Sequence, residues 1–299
     1  MMPFQLRQFE LRNKIASGGI GTVYRAWDSK LERLVAVKLL KPEWRDDAAA
    51  LESFYKEARA CAGLNHTNIV HIYTYDEFEN KRYLVMELAD HGSLDDRIEK
   101  YKVLPELEVL DIGIKIASAL NLILKHNMLH RDIKPGNILF NGDHEPKLVD
   151  FGLAHDIDAE PDPTDVVWGT PFYIAPERVR REKETFLSDM YSLGTTLYHA
   201  ITGHVPLDGA TPEDVIAAQV NVVPTSANLV VTDITATTSA ILDRMLAKEP
   251  SLRFLSYDEL IMTLTGARSE LLVSLYRTPM APEAKRTTSW WSWQRKPKA

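Results

Sequence analysis

The chain of 299 residues has one cysteine, Cys61, so no disulfide can form within it, and a single thiol suits a reducing compartment. It has no run of about eighteen apolar residues that would span a membrane. The opening Met-Met-Pro-Phe-Gln-Leu-Arg lacks the apolar stretch of a signal peptide. Positive charge is not in excess. The formal net charge of −7 gives no support to a nucleic-acid partner, whose phosphates would favour a basic surface. No internal repeat is visible. These absences lead us to expect a cytoplasmic protein with no transmembrane segment and no nucleic-acid partner. A hydrophobic share of 45% over this length is enough for a large core and for two domains or lobes.

The chain is organised around residues 130–152. His130-Arg131-Asp132-Ile133-Lys134-Pro135-Gly136-Asn137 is followed, after Asn141-Gly142-Asp143, by Asp150-Phe151-Gly152. The Asn-Gly-Asp reads as a hairpin turn, with Asp150 following on a second strand. That layout brings two carboxylates and a carboxamide to one point. Phosphoryl transfer from a nucleotide needs such a convergence, to orient the attacking hydroxyl and to supply oxygen ligands for magnesium. Asp-Phe-Gly or His-Arg-Asp alone would occur by chance. The complete set at this spacing argues against chance.

Residues 9–40 read as three short strands, with Ala16-Ser17-Gly18-Gly19-Ile20-Gly21 between the first two. A glycine-rich turn lets the backbone close over phosphates, although a plain tight hairpin would look the same. No Gly-Lys-Ser/Thr follows the glycines, which argues against a P-loop nucleotidase. The third strand carries Lys38 within Val35-Ala36-Val37-Lys38, where a buried ammonium needs a partner. Glu57 is the candidate. It lies beside the apolar stripe Leu51, Phe54, Ala58 and Cys61 of a helix over 50–62. A stabilising ion pair with no further role is the simpler reading of Lys38 and Glu57, and core packing is the reading of Cys61.

A strand over 69–74 is expected to turn back through Asp76-Glu77-Phe78-Glu79-Asn80 into a second strand, Tyr83–Leu88. The break at Asp90-His91-Gly92 reads as a joint between lobes. From Leu94 onward the pattern is helical. Residues 153–170 are polar, with Asp156, Asp158, Glu160, Asp162 and Asp165, and they lead into Gly169-Thr170-Pro171 and Ala175-Pro176-Glu177.

Taken together, residues 9–265 resemble the serine/threonine protein kinases of eukaryotic type, and His-Arg-Asp-Ile-Lys-Pro-Gly-Asn-Ile-Leu is especially similar to their bacterial members. The resemblance implies an α+β fold of two lobes, mostly antiparallel β in the small lobe (9–88) and mostly helical in the large lobe (92–265). It implies ATP and Mg2+, with Mn2+ as an alternative, and a protein substrate bearing Ser or Thr. Asp132 would orient the substrate hydroxyl and Lys134 would neutralise the moving phosphoryl group. Lys38, held by Glu57, would position the α and β phosphates, and Asn137 and Asp150 would hold the metal. Ala16, Gly18, Gly19, Gly21 and Val23 would cover the nucleotide. Ala36, Met86, Glu87, Leu88 and Leu139 would surround the adenine.

In the same family pattern the first loop glycine is replaced by Ala16, which implies altered nucleotide affinity. Thr170 would contact the catalytic loop, and Asp189 matches a buried anchor of the large lobe. Arg253 matches the partner of Glu177, as a buried pair. Arg131 would receive an anion from the segment 153–170, either a phosphate on Thr164 or the carboxylates of Asp162 and Asp165; the alternative is that those acids only keep an exposed loop solvated. A pseudokinase scaffold and a small-molecule phosphotransferase are the other two functions considered. The intact Lys38, Asp132, Asn137 and Asp150 oppose the first, and the intact segment from Gly169 to Glu177 opposes the second.

The stretch 269–299 differs from the rest. It carries six Lys/Arg against two Glu, a net of +4, which leaves −11 for residues 1–268. Trp290, Trp291 and Trp293 cluster near basic residues, so this tail either docks on the kinase body or contacts a partner or a membrane surface.

Overall fold

The computed structural model describes residues 4–157 and 171–277. The N-terminal part is a six-stranded antiparallel sheet of β1 (Phe4–Leu6), β2 (Phe9–Ser17), β3 (Gly21–Asp28), β4 (Arg33–Leu40), β5 (Ile72–Phe78) and β6 (Lys81–Met86), in the order β1-β2-β3-β4-β6-β5. Strand β4 is internal, and its Val35, Ala36 and Val37 are all buried, as a strand covered on both faces requires. Between β4 and β5 runs α1 (Ala48–Ala62). Asp47 caps it by accepting the Ala50 N–H at 2.8 Å. Its buried stripe Phe54, Glu57, Ala58 and Cys61 follows helical spacing and packs by Phe54 and Ala58 with Leu40 and Leu84 of the sheet.

Two features differ from the sequence reading. The short strand β1 was not anticipated. Strand β5 continues through Asp76, Glu77 and Phe78, which read as turn residues. It is an edge strand whose solvent side tolerates charge. The turn itself is made by Glu79 and Asn80, both at positive φ (49° and 57°).

The larger part is helical. It contains α2 (Leu94–Tyr101), α3 (Glu106–Lys125), α4 (Pro176–Val179), α5 (Phe186–Thr202), α6 (Pro212–Asn221), α7 (Ala227–Val230), α8 (Ala236–Met245) and α9 (Tyr257–Arg277). Four short strands accompany them: β7 (Met128–Leu129), β8 (Ile138–Phe140), β9 (Pro146–Leu148) and β10 (His155–Asp156). β8 pairs with β9 and β7 with β10. Helices α3 and α5 form the centre of the main core, and α5 is buried almost throughout. Helix α9 runs through residues 269–277, which the sequence assigned to the tail; Leu271 packs against the core there and keeps the helix going. The three tryptophans Trp290, Trp291 and Trp293 lie outside the described residues. Among the described residues no helix is long and apolar enough to cross a membrane.

Candidate active site

Lys38 sits on β4 between Val23 of β3 and Leu84 of β6 in register. Its Nζ donates to Glu57 Oε2, with both side chains largely enclosed. Burial pushes the Glu57 carboxyl above its ordinary value, while the Lys38 ammonium pulls it down and the charge of Asp150 adds to the rise. Burial likewise pushes the Cys61 thiol up, so it stays protonated and serves as packing.

The glycine-rich turn closes over the same lysine. A Cβ on Gly21 would stand 3.3 Å from the Leu39 carbonyl and from Lys38 Cγ and Cε, so the turn approaches the lysine stem closely here. Ala16 is opposite Val23, just after a register shift in β2. Gly18 N–H donates to the Gly21 carbonyl at 2.9 Å. The Gly19 carbonyl accepts two side-chain donors, Lys41 Nζ at 3.0 Å and Trp44 Nε1 at 3.0 Å. Sequence reasoning missed both. No motif marks them, and the contacts depend on where the chain goes after β4.

Ala36 and Met86 are cross-strand partners, so these two residues stand side by side at the end of the sheet. Beyond Met86 the chain passes Glu87 and Leu88 and is clipped to the helical part. The Glu87 N–H donates to the His71 carbonyl at 2.8 Å, and its carboxylate pairs with the buried Lys147 of β9. The first bond continues the β5–β6 pairing within the sheet, and only the carboxylate, through Lys147, ties the sheet to the helical part. His91 N–H donates to the Phe140 carbonyl at 3.0 Å and Phe140 N–H to the Gly92 carbonyl at 2.9 Å. These two bonds hold the linker against β8, which carries Leu139.

The loop after β7 is built around Asp189, near the start of α5. Its carboxylate accepts the backbone N–H groups of His130 (2.7 Å) and Arg131 (2.8 Å). Burial pushes this carboxyl up, and His130 and the two amides work against that rise. The His130 ring lies edge-on to the buried Phe151, with centroids 4.8 Å apart. It accepts the Asp132 N–H on Nδ1 at 3.3 Å and places Nε2 3.2 Å from the Val149 carbonyl, so Nε2 is the donor.

Three predicted residues meet in this loop. Lys134 Nζ donates to both oxygens of Asp132, at 3.0 and 2.8 Å. Asn137 Nδ2 donates to the Asp132 carbonyl at 2.8 Å and to its Oδ2 at 2.7 Å. Val149 N–H donates to the Asn137 carbonyl at 3.0 Å, which joins the loop to the residue before Asp150. Asp150 stands just past the end of β9 rather than on a strand. It adopts a left-handed φ of 66° and accepts the Gly152 N–H on Oδ1 at 3.3 Å. The left-handed turn ends the ladder and turns the side chain out of it.

The donor set suits a hard cation that keeps ligands of its own. With the Asn137 amide nitrogen committed to Asp132, its Oδ1 remains, together with a carboxylate oxygen of Asp150. Among the described residues no cluster of three or more His, Cys, Asp or Glu forms a closed metal cage. One amide and one carboxylate, completed by phosphates and water, is how magnesium binds at nucleotide sites.

Arg131, at a positive φ of 68°, donates from Nε (3.1 Å) and Nη2 (2.7 Å) to Oε1 of Glu184. The sequence expected its anion to come from 153–170. Thr164, Thr170, Asp158, Glu160, Asp162 and Asp165 lie outside the described residues. Glu184 was not foreseen, because the run Arg-Arg-Glu-Lys-Glu resembles a solvated surface. The expected Glu177–Arg253 pair is present and buried. Arg253 Nη1 and Nη2 reach Oε1 and Oε2 at 2.7 and 2.9 Å, and Ser188 Oγ adds a donor to Glu177 at 2.7 Å.

A family model described as a protein kinase domain matches residues 9–263. A probable serine/threonine-protein kinase of Clostridium perfringens is 32% identical over 269 residues, covering 90% of this chain and 39% of the relative. PknA of Corynebacterium glutamicum, a serine/threonine-protein kinase, is 34% identical, covering 87% of this chain and 56% of the relative. PknA of Mycobacterium tuberculosis is 38% identical over 208 residues, covering 68% and 48%. The chain thus spans from about two fifths to just over half of the length of these relatives.

Proposed function

The chain belongs to the protein kinase domain family, and on that premise we propose that it transfers the γ-phosphoryl group of Mg-ATP to a serine or threonine hydroxyl of a protein substrate. The observation that carries this reading is the hydrogen-bonded set Asp132, Lys134 and Asn137, joined through the Val149 amide to the turn bearing Asp150. In this reading Asp132 orients the substrate hydroxyl and accepts its proton. Lys134, already on the Asp132 carboxylate, neutralises charge on the group in transfer. Lys38, steadied by Glu57, binds the α and β phosphates. The backbone from Gly18 to Gly21, with Ala16 and Val23 at its base, covers them. Ala36, Met86, Leu139 and the linker at Glu87 and Leu88 enclose the adenine.

Asn137 Oδ1 and Asp150 would hold Mg2+, or Mn2+ in its place, which supplies charge neutralisation at the phosphates. The remaining work falls to the protein: excluding water, aligning the hydroxyl and holding the proton on Asp132. The test is transfer from radiolabelled ATP to a generic basic protein by the wild type, Asp132→Asn and Asp150→Ala, with phosphosites mapped by mass spectrometry. Serine or threonine labelling by the wild type alone supports the reading. Equal labelling by Asp150→Ala, purified from a host lacking other kinases, would sink it.

A further inference from the structure

Pro171–Tyr173 form a single 3-10 turn, and Tyr173 and the two residues after it, Ile174 and Ala175, line one small cleft with Asp132 and Ile133. Three successive carbonyls of the turn accept side chains from α5 and α6. Gln219 Nε2, near the end of α6, donates to the Pro171 carbonyl at 3.2 Å and to the Phe172 carbonyl at 2.7 Å. Ser192 Oγ of α5 donates to the Tyr173 carbonyl at 2.7 Å, with a longer contact of 3.2 Å to the Ser188 carbonyl of its own helix. The Tyr173 hydroxyl lies 2.9 Å from Nδ1 of His199, also on α5.

Gln219 is 0% exposed, and an amide so enclosed is costly unless its groups are paired. The surrounding bonds also decide which way the amide faces. Lys248 Nζ, just past α8, donates to the Tyr191 hydroxyl at 3.0 Å, and an ammonium has no acceptor to offer. The Tyr191 hydroxyl therefore gives its own proton to Gln219 Oε1, at 2.6 Å, which leaves Nε2 for the two carbonyls. The carbonyls can only accept, so they demand the same orientation from the other side. A residue that merely filled core space would need no such directed chain. This one ends on the backbone of the turn beside Asp132.

We propose that Gln219 and Ser192 are positioning residues for the protein substrate. They hold the Pro171–Tyr173 turn in place, and a chain presenting its hydroxyl to Asp132 lies against that turn. The role rests on the kinase reading above and concerns the acceptor rather than the nucleotide. Among the described residues, none of the hydrogen bonds of Gln219 or Ser192 runs to Lys38, Asn137 or Asp150.

The test uses the full chain with Mg-ATP and a fixed peptide that carries serine and threonine. Gln219→Met keeps the length of the side chain and removes the amide. It raises the peptide KM by roughly tenfold while the ATP KM stays within about twofold. Ser192→Ala, a smaller change, raises the peptide KM by roughly threefold with the same indifference to ATP. Melting temperatures of each variant set an assay temperature at which all are folded. If Gln219→Met does not fold, Ser192→Ala decides alone.

A wild-type peptide KM in the variants that fold would overturn the role. So would an ATP KM that rises as far as the peptide KM, since that is the mark of a general disturbance of the site. In both cases the wild type still transfers phosphate to the peptide, and the kinase reading stands. A wild type that binds Mg-ATP and transfers nothing to any protein or peptide would overturn both.

Discussion

Arg253 meets Glu177 through two parallel hydrogen bonds at 2.7 and 2.9 Å, across a sequence separation of 76 residues, in a place where neither side chain is more than 3% exposed. The pair ties α4, which follows the catalytic elements in sequence, to the loop before α9. Removing one partner leaves a buried charge without its counter-ion. Arg253→Met is expected to destabilise the protein by about 3–5 kcal/mol, read by denaturant unfolding. An effect below about 1 kcal/mol, the size of a surface pair, would refute the assignment.

The same pair sets an acid limit. Burial pushes the Glu177 carboxyl up, but the hydrogen bonds and charge of Arg253 outweigh it, and the net shift is downward from 4.5. A carboxyl lowered on folding stabilises the protein above its unfolded value and loses that contribution as pH falls through its folded value. Stability should therefore decline as pH drops below 4.5. In Glu177→Gln the decline should be shallower. Melting curves from neutral pH downward decide this, and parallel curves for the two proteins would exclude Glu177 as the titrating group.

Glu57→Gln keeps the shape of the side chain and removes the charge that holds Lys38. The expected result is a fall in kcat/KM for ATP of roughly tenfold or more. Steady-state kinetics over a range of ATP concentrations check it. Unchanged kinetics would leave Lys38–Glu57 as a stabilising ion pair only.

Much of the site was legible because its residues sit in short patterns of fixed spacing. Asp132, Lys134 and Asn137 share one loop, Asp150 follows a hairpin, and the Lys38–Glu57 pair follows from a lysine in a buried strand facing an apolar helix stripe. The anchor Asp189 and the Glu177–Arg253 pair were legible through the family pattern. What was not legible depends on contacts between distant segments made by residues that look solvated. Glu184 lies in a charged run, Lys147 in a short turn-bounded strand, and Trp44 in a single 3-10 turn with no motif. The length of β5 was hidden for a related reason, since an edge strand carries Asp76 and Glu77 as easily as a turn does.

Two glycines in helices should respond oppositely to alanine. A Cβ on Gly194 of α5 would fall 2.7 Å from Met245 Cβ of α8, an atom next to the backbone that cannot swing aside. Gly194→Ala is expected to cost about 1–3 kcal/mol by forcing the two helices apart. Gly266 of α9 has nothing within 4 Å of a built Cβ, so Gly266→Ala should stabilise by up to about 1 kcal/mol through helix propensity. Denaturant melts of both variants check this, and effects of the same sign would contradict the packing described for α5 and α8.

The Gly19 carbonyl offers the last test, because two donors on one oxygen hold the tip of the glycine-rich turn in place before any ligand arrives. Lys41 Nζ and Trp44 Nε1 both reach it at 3.0 Å, and the Lys41 N–H donates to the Ile20 carbonyl at 2.9 Å. A loop with Gly18 and Gly19 in succession has much conformational freedom to lose when it closes over phosphates. The tether removes part of that cost in advance. Trp44→Phe keeps an aromatic ring, though a smaller one, and deletes the donor. One hydrogen bond of about 1 kcal/mol corresponds to a rise of roughly fivefold in the ATP KM, with kcat unchanged. Ala16→Gly should lower the same constant. A Trp44→Phe protein whose ATP KM falls instead would mean that the tether holds the loop away from the phosphates, and that release from Trp44 is part of binding.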